Sequence, residues 1–199
     1  MVDIHVKNIE GVWFGTAYDK NKIVATTFTS NEKKALQYLL HNIPFNVSFQ
    51  RVENTSTFAN QVIDAMKKIY DGKDIACNFS LATENLTKYA KTVIETVSLI
   101  PVGCVASYGS VAKSAGGSPR AVGRVMATNP FPPIVPCHRV VGSDFSLCGY
   151  GGGLKLKFEI LKRERRGFAS KREIQVNKTK LEVFPVEFVL ERTKRKQTR

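Results

Sequence analysis

The sequence predicts an α+β protein in which a small N-terminal α/β domain precedes a helical C-terminal domain. Two short runs rich in β-branched and aromatic residues, 12–18 and 22–28, flank a polar tripeptide, which is typical of a β-hairpin. Apolar residues then recur at helical spacing in segments 29–43 and 57–70. From Thr83 onward the pattern changes to helices, so the domain boundary is placed there.

The elements of the N-terminal half have recognisable ends. Thr29 and Glu32 have the spacing of a capping box, which predicts the start of the first helix, and Pro44 predicts its end. Gly72 lies just past the second helix, where a left-handed cap is common. The predicted divisions are an N-terminal domain of residues 1–82, a C-terminal domain of residues 83–164 and a basic extension of residues 165–199.

Two short helices joined by a glycine turn are predicted within residues 108–126. Ser118 can cap the second of them, and Pro119 suits its first position because the missing N–H costs nothing there. This is the pattern of a helix-turn-helix. Arg120 and Arg124 lie four residues apart and share one face, so they can reach a phosphate or a groove; solvated surface arginines are the alternative.

The charge of the chain favours a nucleic acid partner. The formal net charge is +13, and residues 87–164 hold ten basic and four acidic side chains, with eleven and four in residues 165–199. No apolar run approaches the roughly 18 residues of a membrane span, and no secretory signal opens the chain, so we expect a cytoplasmic protein, or a nuclear one if the source is eukaryotic. Apolar patches at 181–184 and 188–190 could dock on the body or pair as strands.

A proline-rich segment, residues 129–141, carries the most reactive candidate. Prolines restrict the backbone, so Cys137 should stand on a rigid, non-helical turn. The thiolate is the reactive form, and His138 is a candidate to activate it, through a bridging water rather than by direct contact. A carboxylate would orient the imidazole, and spacing alone does not decide between Glu164 and Glu159. The alternative is a buried, inert cysteine.

The motifs around Cys137 resemble those of the O6-alkylguanine-DNA alkyltransferases over about residues 83–164. They are Arg120-Ala121-Val122-Gly123, Asn129-Pro130, Pro136-Cys137-His138-Arg139-Val140 and Gly149-Tyr150-Gly151-Gly152-Gly153-Leu154. The resemblance implies a ribonuclease-H-like N-terminal domain. It also implies stoichiometric, irreversible transfer of an alkyl group from O6-alkylguanine in flipped-out duplex DNA to Cys137, and it leaves O4-alkylthymine open as a second substrate.

The resemblance also implies a role for each matching residue. His138 would act as base through a water, Glu164 would orient it, and Asn129 would brace the segment. Tyr108 would help to rotate the nucleotide and assist departure of the guanine, while Arg120 would replace the flipped base in the stack. We place the remaining candidates with DNA binding (Ser118, Ala121 and Arg124) or with the substrate pocket (Arg139, Val140, Tyr150 and Gly151).

The same resemblance implies binding of double-stranded DNA through the minor groove, with no membrane partner. We expect a monomer that needs no metal and no organic cofactor. Gly151 departs from the serine that is frequent in relatives, which leaves the substrate range open. Two other classes of protein compete with this interpretation, namely a Cys-His hydrolase, and a helix-turn-helix regulator or damage sensor. The hydrolase makes no use of Tyr108 or Arg120, and a sensor would lack the cysteine.

Overall fold

The structure is a computed structural model that describes residues 1–53 and 56–197. Backbone contacts divide the chain into two compact units. The first contains residues 1–70, 75–85 and 130–134, and the second contains residues 71–74, 86–129 and 135 onward. No helix among the described residues is both long enough and apolar enough to cross a membrane.

The first unit is built on a five-stranded sheet in the order β4-β1-β2-β3-β5. Its strands are β1 (Val2–Ile9), β2 (Val12–Asp19), β3 (Lys22–Thr29), β4 (Phe49–Arg51) and β5 (Ser80–Leu81). The predicted hairpin is confirmed as β2 and β3, and β1 pairs antiparallel with β2. The edge strands β4 and β5 run parallel to β1 and β3, respectively.

Two helices complete the first unit, α1 (Glu32–His41) and α2 (Thr57–Tyr70). Leu39 of α1 joins a core cluster with Ala17 and Ala25 of the sheet, whereas Tyr70 of α2 packs edge-on against Phe14. The prediction of α2 is confirmed to the residue. The predicted cap of α1 is wrong.

Asn31, and not Thr29, caps α1, because its side chain accepts a hydrogen bond from the amide of Lys34 at 3.0 Å. Thr29 is still the last residue of β3, where it pairs with Trp13. Because Thr29 still pairs within the sheet, it cannot cap the helix, and the cap lies two residues later at Asn31. The helix also ends at His41, before Pro44 is reached.

The second unit contains a four-stranded sheet, which corrects the prediction of a helical C-terminal domain over residues 83–164, because two of its strands lie within that range. The sheet has the order β7-β6-β9-β8, with β6 (Cys104–Ser107), β7 (Val140–Val141), β8 (Arg172–Val176) and β9 (Thr179–Pro185). Only β6 and β7 are parallel. The helices are α3 (Lys88–Ser98), α4 (Tyr108–Ala115), α5 (Pro119–Ala127), α6 (Leu154–Arg163) and α7 (Val186–Gln197).

The C-terminal extension is part of this second unit. Strand β9 pairs with β6, and Val186 and Val189 of α7 share a buried cluster with Leu161 of α6. Each of the two predicted possibilities therefore applies to one apolar patch. Residues 181–184 pair as part of strand β9, and residues 188–190 dock as part of helix α7. Further upstream, helix α3 begins at Lys88 after the cap Thr87, later than the change of pattern at Thr83.

Candidate active site

The pair of helices predicted at 108–126 is present as α4 and α5. Ser118 caps α5, since its hydroxyl accepts from the amide of Ala121 at 3.2 Å, and Pro119 takes the first helical position. Gly117 has a φ of +91°, and a Cβ there would lie 2.6 Å from the hydroxyl of Tyr89. The turn thus requires glycine for its backbone conformation and for space.

The outer face of α5 carries the predicted DNA-binding side chains. Arg120 and Arg124 are exposed, whereas Val122 is fully buried beneath them. Ala121 is partly buried. The prediction that the two arginines share one exposed face is therefore confirmed.

Cys137 opens a single 3-10 turn, Cys137–Arg139, and its side chain is buried, with 7% of the residue exposed. The side-chain amide of Asn129 donates to the backbone carbonyl of Val135 at 3.3 Å, and the backbone N–H of Cys137 donates to the same carbonyl at 2.8 Å. Both bonds fix the chain just before the cysteine. Asn129 therefore contacts the segment that precedes Cys137, and its bracing role stays a prediction.

Glu164 lies at the centre of a buried network, and this resolves the choice between Glu164 and Glu159. His138 Nε2 lies 3.1 Å from Glu164 Oε1. Arg139 donates to the same carboxylate from Nε, at 3.1 and 3.0 Å, and from Nη2, at 2.7 Å. All three residues are buried. Arg139, expected in the substrate pocket, directs its guanidinium to Glu164 and to the carbonyl of Ile100 at 2.6 Å.

The network fixes the protonation of His138. Burial alone would raise the pKa of Glu164, but His138 and Arg139 hold that pKa at about 2, so Glu164 is ionised and can only accept hydrogen bonds. Burial also lowers the pKa of His138, more than Glu164 raises it, so the ring is neutral near pH 7. The proton must then sit on Nε2, which faces the carboxylate. Nδ1 is left as the basic nitrogen, buried and without a partner among the described residues.

Lys157 is a site residue that the sequence analysis missed. It is completely buried on α6, and its ammonium donates to the carbonyls of Val140 and Leu147, both at 2.7 Å. The ammonium also lies 5.8 Å from the ring centre of Tyr150. Burial lowers the pKa of Lys157 to about 8, against the opposing influence of the nearby cysteines. A signal was available, because Lys157 lies two helical turns before Glu164 on the same buried face.

The thiol of Cys137 is in a mixed environment. Burial raises its pKa, whereas the nearby side chains of Asn129 and Tyr150 and the charge of Lys157 act in the opposite direction. Tyr108, the first residue of α4, has its pKa raised to about 12, first by burial and then by Cys148 and Cys137. The phenol of Tyr108 therefore stays protonated near the thiol and can serve as a donor.

Gly151, the first glycine after Tyr150, has open space around it. A Cβ at Gly151 would meet nothing within 4 Å, and its backbone is outside the left-handed region. Nothing in the local structure therefore requires glycine at position 151. The second unit thus brings together the predicted residues Cys137, His138, Glu164, Asn129 and Tyr108, and it adds Lys157 to them.

The chain is similar to known proteins of one family. Residues 88–166 match the family described as 6-O-methylguanine DNA methyltransferase, DNA binding domain. A methylated-DNA-protein-cysteine methyltransferase of Methanothermobacter thermautotrophicus is 40% identical over 105 residues, 52% of this chain and 60% of that relative. A protein of the same name from Methanocaldococcus jannaschii is 31% identical over 166 residues, 81% of this chain and 93% of that relative.

A solved structure supports the same relationship. The crystal structure of the O6-methylguanine-DNA methyltransferase from Pyrococcus kodakaraensis superposes with a TM-score of 0.64 and 25% identity. The match covers 82% of this chain and 99% of that protein. The mixed α/β architecture is therefore shared, and this chain is longer than its structural relative.

Proposed function

This chain belongs to the methylated-DNA-protein-cysteine methyltransferase family, and from this premise we propose that it repairs DNA by moving an alkyl group from O6 of guanine to Cys137. The observation that carries the proposal is the buried arrangement of Cys137, neutral His138 and ionised Glu164. A thiol needs a base to become a nucleophile, and an oriented imidazole is a suitable base.

The proposed reaction moves one proton and one alkyl group. His138 Nδ1 takes the thiol proton through a bridging water, and Glu164 stabilises the imidazolium that forms. The sulfur lone pair attacks the alkyl carbon, a new C–S bond forms, and the bond from that carbon to O6 breaks with its electron pair remaining on the guanine. The proton held by His138 then returns through water to the guanine anion, which leaves as neutral guanine. Tyr108 donates a hydrogen bond to the departing guanine, which a phenol with a pKa of about 12 can do near neutral pH.

Lys157 has an electrostatic role in this scheme. Its ammonium is fixed by two carbonyls and favours the thiolate of Cys137. A fixed positive charge in a buried site stabilises developing negative charge without any reorganisation. The product is a thioether, which offers no carbonyl for water to attack, so each molecule acts once.

The burial of Cys137 supports base flipping. A sulfur that is almost inaccessible cannot reach an alkyl carbon inside a stacked duplex, so the damaged base must leave the helix and enter the site. We propose that α4 and α5 act as a helix-turn-helix in the minor groove and that Arg120 fills the gap in the stack. Arg124, Ser118 and Ala121 would contact the DNA on the same helix.

The guanine would be held by the loop that contains Tyr150 and Gly151 and by the carbonyl of Val140, which already accepts from Lys157. O4-alkylthymine is a second substrate to be tested. We propose a monomer that acts in the cytoplasm. We also propose a functional division into residues 1–82, residues 83–164 for binding and transfer, and the extension, with a ribonuclease-H-like fold in the first.

The experiment is intact-protein mass spectrometry after mixing the chain with a duplex that carries one O6-methylguanine. We expect a gain of one CH2 group that saturates at one per molecule, maps to Cys137 and is absent in Cys137→Ala. Cys104→Ala is the matched control and should still be methylated. Lesion binding without a mass gain would favour a damage sensor, and repeated turnover without a mass gain would favour a hydrolase.

A further inference from the structure

The segment between β7 and the glycine loop, residues 142–148, has an unusual backbone. Phe145 and Cys148 have φ values of +60° and +55°, although neither is glycine. Such conformations persist only where the surroundings fix them. Part of the constraint is local, because the amide of Gly142 donates to the carbonyl of Ser146 at 2.9 Å, and Ser146 Oγ donates to Asp144 Oδ1 at 2.6 Å.

The rest of the constraint comes from the C-terminal extension. The ring of Phe145 packs edge-on against Phe184 of β9 and Phe188 of α7, with both centroid separations at 5.2 Å. One residue earlier, Asp144 forms an ion pair with Arg192 of α7. Loop 142–148 is therefore held from one side by an aromatic cluster and an ion pair that residues after 165 provide.

The other end of loop 142–148 is connected to the reactive site. The carbonyl of Leu147 is one of the two acceptors that fix the ammonium of Lys157, and the other belongs to Val140, three residues after Cys137. The side chain of Leu147 packs against the core cluster that includes Val186 of α7. A displacement of the loop would therefore remove one of the two hydrogen bonds that position the ammonium.

We propose that the C-terminal extension is a positioning element of the reactive site, in which Phe188 and Arg192 hold loop 142–148 so that the carbonyl of Leu147 keeps Lys157 beside Cys137. Neither residue touches the reacting atoms. This inference rests on the proposed function only in taking Cys137 as the alkyl acceptor.

The test compares full-length variants that carry the same change at two positions of α7. Arg192→Gln removes the ion pair with Asp144, whereas Arg195→Gln removes an exposed charge one turn further along the same helix. Phe188→Ala opens the aromatic cluster, and Phe188→Leu retains most of its bulk. Arg192→Lys is the conservative variant, which should keep the ion pair with Asp144.

Two readouts are measured for each variant. The first is the rate of methyl transfer at saturating lesion duplex, which separates positioning from DNA affinity. The second needs no DNA and follows alkylation of Cys137 by iodoacetamide across pH, with modified peptides resolved by mass spectrometry so that Cys148 is scored separately. Thermal unfolding establishes that each variant is folded at the assay temperature.

We expect Phe188→Ala to lower the saturating rate by about tenfold or more, since small displacements in a reactive site have effects of this size. Arg192→Gln should show a smaller loss, and both should raise the apparent pKa of Cys137, whereas Arg195→Gln, Arg192→Lys and Phe188→Leu should stay near wild type. Equal rates and equal pH profiles in Arg192→Gln and Arg195→Gln would overturn the proposal. If wild type transfers no methyl group, the proposed function fails, while the iodoacetamide profiles still decide the positioning role.

Discussion

Replacing Glu164 with glutamine tests the buried network most directly. The carboxylate accepts from His138 and from two nitrogens of Arg139, and both partners are buried with it. Glutamine offers only one acceptor oxygen, and its NH2 group faces either the guanidinium of Arg139, which can only donate, or Nε2 of His138. The guanidinium of Arg139 would keep the carbonyl of Ile100 but lose its counter-ion.

The expected loss of stability follows from the unpaired guanidinium. Removing one partner of a buried ion pair costs about 3–5 kcal/mol, and we expect about 3 because Arg139 keeps one strong hydrogen bond. For a chain of this size, this is a fall in the melting temperature of about 10 °C. Glu159→Gln is the matched control, because Glu159 lies on the same helix and is only partly buried.

The same substitution should slow methyl transfer through the tautomer of His138. An amide NH2 facing Nε2 favours the ring with its proton on Nδ1, which removes the basic nitrogen. In serine proteases the wrong histidine tautomer lowers the turnover rate by about 10⁴-fold. We expect the rate of methyl transfer to fall by about 100-fold or more here. Urea unfolding and single-turnover transfer at 25 °C are the two measurements. An unfolding free energy within about 1 kcal/mol of the Glu159→Gln value would refute the reasoning.

Three further outcomes are expected. Lys157→Met should slow transfer at pH 7 by about tenfold, because it removes the positive charge that lowers the pKa of Cys137, and by less at pH 9, where Lys157 with its pKa of about 8 has lost most of that charge; equal losses at both pH values would contradict this. Burial lowers the pKa values of His5 and His138, so the unfolded chain takes up protons at these two residues before the folded chain does. The contribution of the two residues to the unfolding free energy should therefore be complete above about pH 6.5 and fall below that pH in urea titrations. A rise of the unfolding free energy below about pH 6.5 would exclude this linkage. Gly151→Ser should change the unfolding free energy by less than about 0.5 kcal/mol, because a side chain at position 151 meets no neighbour. Gly117→Ala should lower the unfolding free energy by at least about 1 kcal/mol, because Gly117 has a positive φ. Equal effects of the two substitutions would contradict this difference in backbone geometry.

Elements with local chemical signals could be predicted from the sequence. The start of α5 follows from Ser118 and Pro119, which need only their immediate neighbours to form a cap. The faces of the same helix follow from the spacing of Arg120, Arg124 and Val122. The hairpin of β2 and β3 is likewise local, since its strands are adjacent in the chain.

The sheet of the second unit could not be predicted in this way. Strand β7 has two residues and β6 has four, which is too short for an alternating pattern to be recognised. Their pairings are distant in sequence, because Ala106 pairs with Val140, and Val105 pairs with Phe184 of the extension. Only tertiary packing defines these strands.

The site shows the same division between local and distant information. Cys137 and His138 were found because a proline-rich segment restricts its own backbone, whereas Asn129 was assigned only through the resemblance to the family. The partner of His138 lies 26 residues away, and spacing alone could not separate Glu164 from Glu159. Five residues along a helix turn the side chain to a different face, so the buried face that Glu164 shares with Lys157 would have distinguished the two.

The charges around Cys137 explain why a buried thiol can react. The ionised side chains buried beside it, within the described part of the chain, are Arg139, Lys157 and Glu164, which together carry one net positive charge. A neutral thiol leaves that charge uncompensated, whereas a thiolate balances it. Burial opposes ionisation in the resting site, but the fixed charges favour the anionic sulfur that attacks the alkyl carbon in the proposed reaction. A thioether cannot carry this negative charge, so alkylation leaves Lys157 without the anion that its position favours.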